Sequence, residues 1–279
     1  MADNGADKRH LIVAMTTPLL DGAFDAESFA AHARFLYGAG IRDVFVLGTT
    51  GEFQFITTKG RMKVAEAAMH EFGSDVGVMV GTTGSSLKDT IHLSRHAEDI
   101  GAYAAVVAPM YIRGISGSEQ DLIKGMQELR RSTAGIKFVL YNNPGITNQG
   151  IPINALEELS RDYAFRGLKD SSGDKRYMKG ALKIQGSFFR VFQGDEKAFM
   201  EGPSDDVDGL VSGTANFKPG LLKAACNGDF SLLVRHDLTG ILAEYARIGN
   251  PIEVIKQRLV KAGIYKSGEL AQSPAYKVG

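Results

Sequence analysis

The chain has 279 residues, and its 32 lysines and arginines balance 32 aspartates and glutamates, so the formal net charge is zero. That balance argues against nucleic acid or an anionic membrane surface as the main partner. The single cysteine, Cys226, excludes an intramolecular disulfide, and the polar first residues lack the apolar core of a signal peptide. We therefore expect a soluble, cytoplasmic globular protein.

Short apolar runs alternate with longer segments of helical period along most of the chain. The runs predict strands at residues 11–15, 43–47, 76–80, 104–108, 136–140, 165–169, 188–192 and 207–211. The segments that follow them predict helices at residues 25–37, 58–72, 87–100, 118–131, 153–160, 175–184 and 219–226, with a short segment after the seventh strand completing its unit. Because the strands are apolar throughout, we expect a parallel sheet that is covered on its outer face.

Eight strand-helix units at this length predict an α/β fold in which the sheet closes into a (β/α)8 TIM barrel. The alternative is an open, doubly wound sheet. It has little support, because no strand is followed by a complete glycine-rich nucleotide-binding motif. Residues 81–84 hold the glycines of such a motif without its lysine and serine, and are a weak phosphate signal.

Two more helical segments follow the eighth unit, at residues 231–248 and 251–262, and Pro251 suits the first turn of the second one. We expect them to lie outside the barrel as a small helical appendage. The predicted domains are a catalytic barrel over residues 1–228 and a C-terminal helical extension over residues 229–279.

In such a barrel the active site lies at the carboxyl ends of the strands. Those positions hold mostly hydroxyls, glycines, tyrosines and one lysine, at residues 16–17, 48–52, 81–83, 109–111, 141–144, 169–170, 194–195 and 211–213. They contain no histidine or cysteine, so we expect no metal site and no histidine-based triad. Glu52 and Asp195 are loose candidates for the paired carboxylates of a glycoside hydrolase.

The strand ends suit amine catalysis on a small carbonyl acid. Lys169 ends a buried strand, where an ammonium is unusual, and an uncharged lysine amine forms Schiff bases with carbonyls. Tyr141 can relay protons, and the turn at residues 48–51 offers N–H groups and hydroxyls that can hold a carboxylate. Each feature alone has an ordinary alternative: a lysine that reaches solvent, a core tyrosine or a plain tight turn. Their agreement at one end of one fold favours the catalytic interpretation.

Three motifs, at residues 48–52, 141–144 and 167–170, resemble in order and spacing those of the dihydrodipicolinate synthase and N-acetylneuraminate lyase superfamily. The resemblance extends from about residue 11 to the helix that begins at Pro251. It implies a class I pyruvate aldolase on a (β/α)8 barrel, which forms a Schiff base and needs no metal or organic cofactor. It also implies a homotetramer built as a dimer of dimers.

The resemblance implies roles for three catalytic residues. Lys169 would condense with the keto carbon of pyruvate, and Tyr141 would relay protons during imine formation and carbon–carbon bond chemistry. Tyr111 matches a tyrosine that many members donate across a dimer interface into the neighbouring site.

The same resemblance implies a substrate-binding set. Thr49, Thr50 and Gly51 match the turn that binds the pyruvate carboxylate. Val211 matches the eighth-strand position whose backbone lines the site.

The departure from the synthases concerns the second substrate. They carry an arginine shortly after the Tyr-x-x-Pro proline, to hold the carboxylate of aspartate semialdehyde, and this chain has Ile146 there. An aliphatic side chain makes no such contact. We therefore expect an aldolase of 2-keto-3-deoxygluconate, or a close sugar acid, that yields pyruvate and an aldehyde such as glyceraldehyde. The alternatives are N-acetylneuraminate lyase, dihydrodipicolinate synthase (which Ile146 disfavours), another pyruvate-dependent aldolase or hydratase, and a keto-acid sensor without turnover.

Overall fold

The computed structural model describes residues 9–109, 118–201 and 206–271. Within them, eight parallel strands close into a barrel in the order β1-β10-β9-β8-β7-β6-β5-β4, and a short antiparallel hairpin pairs β2 with β3. The strands are β1 (His10–Ala14), β2 (Leu19–Leu20), β3 (Ala23–Phe24), β4 (Asp43–Val46), β5 (Gly77–Gly81), β6 (Ala104–Val107), β7 (Phe138–Asn142), β8 (Phe165–Asp170), β9 (Arg190–Gln193) and β10 (Gly209–Ser212). The predicted (β/α)8 barrel is confirmed.

Helices follow the barrel strands, and several begin at a polar cap. Over the described residues they are α1 (Ala26–Gly38), α2 (Thr58–Phe72), α3 (Leu87–Asp99), α4 (Glu119–Arg131), α5 (Pro144–Thr147), α6 (Ile153–Ser160), α7 (Lys175–Leu182), α8 (Glu196–Glu201), α9 (Pro219–Cys226), α10 (Leu232–Ile248) and α11 (Pro251–Lys261). Asp25 is the N-cap residue of α1. Asn250 is the N-cap residue of α11, and Pro251 follows it at the first helical position. None of these helices has the length and apolar character needed to cross a lipid bilayer.

Three barrel strands, β7, β9 and β10, begin two residues later than predicted. The sequence pattern places them at 136–140, 188–192 and 207–211, whereas β7 begins at Phe138, β9 at Arg190 and β10 at Gly209. At the expected start of β10, the Asp208 carboxylate accepts hydrogen bonds from the Val191 N–H at 2.8 Å and from Gln185 at 2.7 Å. The Asp208 N–H in turn donates to the Val191 carbonyl at 2.9 Å.

The chain forms two compact units. The first unit contains the described residues of Met1–Val78 and Ser212–Gly279, and the second contains those of Met79–Val211. In the first unit, α10 and α11 share a buried apolar cluster of Tyr245, Val254, Ile255, Leu259 and Tyr265. The domain boundary between residues 228 and 229 stays a prediction.

The ladder between β7 and β8 contains a one-residue register shift. Phe138 pairs with Phe165, but the next residue, Val139, pairs with Gly167, so Arg166 has no opposite residue. An extra residue of this kind is the mark of a β-bulge, which changes which side chains lie beside one another further along the strands.

Candidate active site

Lys169 and Tyr141 lie side by side at the carboxyl ends of β8 and β7. They are direct partners in the ladder, and Lys169 Nζ lies 4.1 Å from the centre of the Tyr141 ring. Each residue is only 6% exposed. If the register of the Phe138–Phe165 pair had continued along the strands, Tyr141 would pair with Leu168. The side chain of Leu168 points to the opposite face of the sheet from that of Lys169. The bulge at Arg166 therefore brings the amine and the phenol together.

Asn143 holds the phenol of Tyr141. Its Nδ2 donates a hydrogen bond to Tyr141 Oη at 2.8 Å. Asn143 is also the N-cap residue of α5, yet its side chain makes no capping bond to that helix. The phenol oxygen is the acceptor in this bond, so the bond does not use the phenol proton. No role for Asn143 is predicted from the sequence, although its position two residues after Tyr141 could have indicated a contact with the phenol.

A second pair, Asn142 and Asp170, connects the same strand ends on the opposite face of the sheet. Asn142 Nδ2 donates to Asp170 at 2.7 Å, and Asn142 accepts from the Ile151 backbone at 2.9 Å. Asp170 also accepts from the Ser172 hydroxyl at 3.0 Å. Asn142 and Asp170 are each 1% exposed, and burial raises the pKa of Asp170. These bonds tie β7 to β8 one residue beyond the Tyr141–Lys169 pair.

Gly194, directly after β9, leaves room for the side chain of Lys169. Its N–H donates to the Asp170 carbonyl at 2.6 Å. A Cβ at this position would lie 2.1 Å from Ser171 Oγ and 2.9 Å from Lys169 Cε. Only glycine fits at this position without displacing the side chain of Lys169.

The turn after β4 has an unusual backbone. Leu47 and Glu52, which flank the Gly48–Gly51 turn, have φ angles of 59° and 57°, in the left-handed region that L-residues rarely adopt. The Glu52 N–H donates to the Thr49 carbonyl at 2.9 Å and closes the turn. A Cβ on Gly51 would meet the Leu47 nitrogen at 3.0 Å. The turn is therefore compact, and Thr49 and Thr50 remain half-buried within it.

The structure brings together two of the three predicted catalytic residues, Lys169 and Tyr141, within the second unit. Val211 lies buried in β10 of the same unit. Thr49, Thr50 and Gly51 lie together in the first unit, on the turn just described. Tyr111 falls outside the described residues. The role of each residue stays a prediction.

The two acids considered for glycoside hydrolysis have structural partners. The buried Glu52 pairs with Lys256, and Asp195 accepts from the Ala198 backbone at 2.8 Å in the first turn of α8. Across the three described ranges, no group of three histidine, cysteine, aspartate or glutamate side chains is arranged to hold a metal ion. His32 is buried among the hydrogen-bonding groups of Tyr265 and Asn216 in the first unit.

Comparison with known families identifies one match over nearly the whole chain. The model of the dihydrodipicolinate synthetase family matches residues 7–278. A relative from Stenotrophomonas maltophilia, named 4-hydroxy-tetrahydrodipicolinate synthase, is 30% identical over 229 residues, which are 81% of this chain and 74% of the relative.

Solved structures with the same fold include YagE, a prophage protein of E. coli K12 from the dihydrodipicolinic acid synthase family, determined in complex with pyruvate. It is 26% identical, with a TM-score of 0.84, over 96% of this chain and 95% of that one. The 2-keto-3-deoxygluconate aldolase of Picrophilus torridus has a TM-score of 0.85 at 24% identity, over 97% of this chain and 98% of that one. The second likeness shows the fold alone.

Proposed function

Because the chain belongs to the dihydrodipicolinate synthetase family and is a carbon–carbon lyase that acts through pyruvate, we propose that it is a class I aldolase of 2-keto-3-deoxy sugar acids. It cleaves 2-keto-3-deoxygluconate, or a close relative, reversibly to pyruvate and glyceraldehyde. The observation that carries this proposal is the buried amine of Lys169, 4.1 Å from the ring centre of Tyr141.

The first step forms an imine. The Lys169 amine attacks the C2 keto carbon of the sugar acid, and the resulting carbinolamine loses water to give a protonated imine. Tyr141 delivers the proton that the departing hydroxyl needs, and general acid–base help of this kind contributes about 10²–10⁴-fold. The hydrogen bond from Asn143 holds the phenol oxygen in place for this transfer.

The second step breaks the C3–C4 bond. Tyr141 removes the proton of the C4 hydroxyl, the C4 oxygen becomes the aldehyde carbonyl, and the bonding electrons move toward the imine nitrogen to leave an enamine. Tyr141 returns this proton to C3, and water hydrolyses the imine to release pyruvate, which restores the Lys169 amine and gives a proton back to Tyr141. The protonated imine lowers the barrier because it accepts the electrons of the breaking bond.

Thr49, Thr50 and Gly51 are proposed to bind the keto acid's carboxylate, with Val211 and Tyr111 completing the site as the family resemblance implies. Hydroxyl and backbone N–H groups suit a carboxylate because they donate hydrogen bonds to it. The covalent lysine imine serves in place of a metal or organic cofactor. The cytoplasmic location and the homotetramer also remain proposals.

The segment after Tyr141 supports a neutral polyol as the aldehyde half. Ile146 lies half-buried in α5, and residues 143–150 contain no lysine, arginine or histidine. The hydroxyl of the neighbouring Thr147 shares its one proton between the carbonyls of Asn143 and Gln149. A second carboxylate on the aldehyde would find no positive charge on this segment.

Synthesis of 4-hydroxy-tetrahydrodipicolinate is the second candidate, because the relative from Stenotrophomonas maltophilia bears that name. A substrate panel separates the two. The purified chain is assayed for pyruvate release from 2-keto-3-deoxygluconate and from N-acetylneuraminate, and for condensation of pyruvate with aspartate semialdehyde, beside Lys169→Ala. We expect the highest kcat/KM with 2-keto-3-deoxygluconate. Efficient turnover of the semialdehyde would overturn the assignment.

A further inference from the structure

Helix α11 places a lysine against the residue that closes the Gly48–Gly51 turn. Lys256 is fully buried, Glu52 is 1% exposed, and the ammonium and carboxylate form an ion pair. Lys256 Nζ also donates to the Glu269 carbonyl at 2.7 Å, and the Ala271 N–H donates to Glu52 Oε1 at 2.8 Å. Both charges are therefore satisfied by groups from the C-terminal part of the first unit.

This ion pair is connected to the turn through the backbone of Glu52. A non-glycine residue with a φ of 57° keeps that conformation only where its surroundings hold it. The same residue closes the turn through its N–H bond to Thr49. Because the Glu52 side chain is anchored to α11, its backbone cannot relax to an ordinary conformation without breaking the buried ion pair.

Stabilisation of the fold does not by itself account for a buried ion pair at this position. Removing two charges from water is costly, and well-packed apolar residues frequently replace a buried ion pair without loss of stability. The exposed pair of Lys266 with Glu27, also in the first unit, involves no residue of left-handed backbone and offers a contrast. The buried pair differs from it by holding a residue of a strained turn.

We propose that Glu52 and Lys256 are positioning residues that hold the turn in the shape in which Thr49 and Thr50 receive the substrate carboxylate. The inference rests on the proposed function of that turn. Neither residue touches the substrate, and both act through the backbone between Gly48 and Glu52. Helix α11 is then part of the substrate-binding machinery, although it follows the last barrel strand.

The double variant Glu52→Gln/Lys256→Met tests this role, because it removes both charges and leaves neither one buried alone. The measurement is borohydride trapping of the pyruvate imine across a range of pyruvate concentrations, with urea unfolding in parallel. We expect the half-saturating pyruvate concentration to rise about tenfold, as when hydrogen bonds to a charged group are misplaced. The trapping rate at saturation and the urea midpoint should stay close to those of the parent.

The matched control is Glu27→Gln/Lys266→Met, which removes the exposed pair and should leave half-saturation unchanged. A folded double variant of the buried pair that binds pyruvate like the parent would overturn the inference. If that double variant does not fold, Glu52→Gln/Lys256→Gln replaces it, because it also removes both charges. The amide keeps the shape of Glu52 and still accepts from Ala271, and the same rise in half-saturation is required.

Hydrogen exchange separates this inference from the proposed function. We expect the amides of Glu52 and Phe53, which donate within the turn, to exchange faster in the buried-pair variant than in the parent and in the control. Unchanged exchange there would overturn the positioning role. A parent chain that traps no pyruvate would overturn the proposed function instead, and the exchange rates would still decide whether the pair holds the turn.

Discussion

The Tyr141–Lys169 pair and the Gly48–Gly51 turn achieve their geometry by different means. The pair depends on strand register, since one bulge sets its partners and the Asn142–Asp170 bond locks it. The turn depends on two left-handed residues and on a buried ion pair with a distant helix. Only local changes should therefore damage the pair, whereas the turn should also respond to changes in α11.

The largest effect is expected where the pair itself is changed. Tyr141→Phe keeps the ring beside Lys169 but removes the phenol, so kcat should fall about 10²–10⁴-fold through loss of general acid–base catalysis. The half-saturating pyruvate concentration should change little. Steady-state kinetics with borohydride trapping measures both quantities. A kcat within about threefold of the parent would show that Tyr141 moves no proton.

Gly194→Ala tests how closely the strand ends surround the lysine. The added Cβ would meet Ser171 and Lys169, and a displacement of about 1 Å at a reacting group can cost about 10²-fold in rate. We expect imine trapping to slow by roughly that factor. Gly186→Ala is the matched control, because a Cβ there meets nothing within 4 Å. Equal trapping rates in the two variants would contradict the close fit.

Acid should act on the two units through different groups. Burial lowers the pKa of His32 in the first unit to about 4, from 6.5, whereas burial raises the pKa of Asp170 in the second unit. The unfolded chain therefore binds a proton at His32 at a higher pH than the folded chain does. This contribution to stability is complete above pH 6.5 and is lost as the pH falls toward 4. Asp170 works in the opposite sense, because its raised pKa favours the folded state in acid.

Urea unfolding at about pH 7 and about pH 5 measures this contribution. We expect the free energy of unfolding to fall by up to about 1.4 kcal/mol per pH unit through His32. His32→Gln can still donate to the Asn216 carbonyl but does not titrate, so its pH dependence should be shallower. An identical slope in the parent and the variant would rule out His32 as the acid-sensitive group.

The smallest effect is expected in the turn. Gly51→Ala places a Cβ 3.0–3.1 Å from the backbone of Leu47 and Met15, which must shift by a few tenths of an ångström. We expect the half-saturating pyruvate concentration to rise by less than about tenfold, with little change in the trapping rate at saturation. A large loss of trapping rate with unchanged half-saturation would show that the turn serves catalysis rather than binding.

The sequence predicts the regular parts of the molecule well, and physical reasons explain what it misses. Buried parallel strands are continuous apolar runs, so all eight barrel strands can be located from the sequence. The four-residue helix α5 and the two-residue strands β2 and β3 are too short to show any periodicity. The register shift at Arg166 depends on the partner strand, and nothing in a single strand's sequence reveals it.

In the candidate site, too, the sequence predicts some features and misses others. Lys169 stands out because a lysine at the end of an apolar strand violates the usual pattern, and Tyr141 follows from its motif. Beyond its place in the motif at residues 48–52, Glu52 is suggested by the sequence only as a loose candidate for a carboxylate pair. Its partner Lys256 lies on a helix that the pattern places in an appendage. Gly194 is recognisable only as a strand-end residue, since its contact with Lys169 comes from packing between β8 and β9.

Borohydride trapping tests the Schiff-base mechanism most directly. The chain is treated with pyruvate and borohydride, and intact mass and peptide mapping locate the reduced adduct. We predict one stable adduct per chain, on Lys169, and none in Lys169→Ala. Absence of an adduct in the parent, or an adduct that persists in Lys169→Ala, would contradict that mechanism.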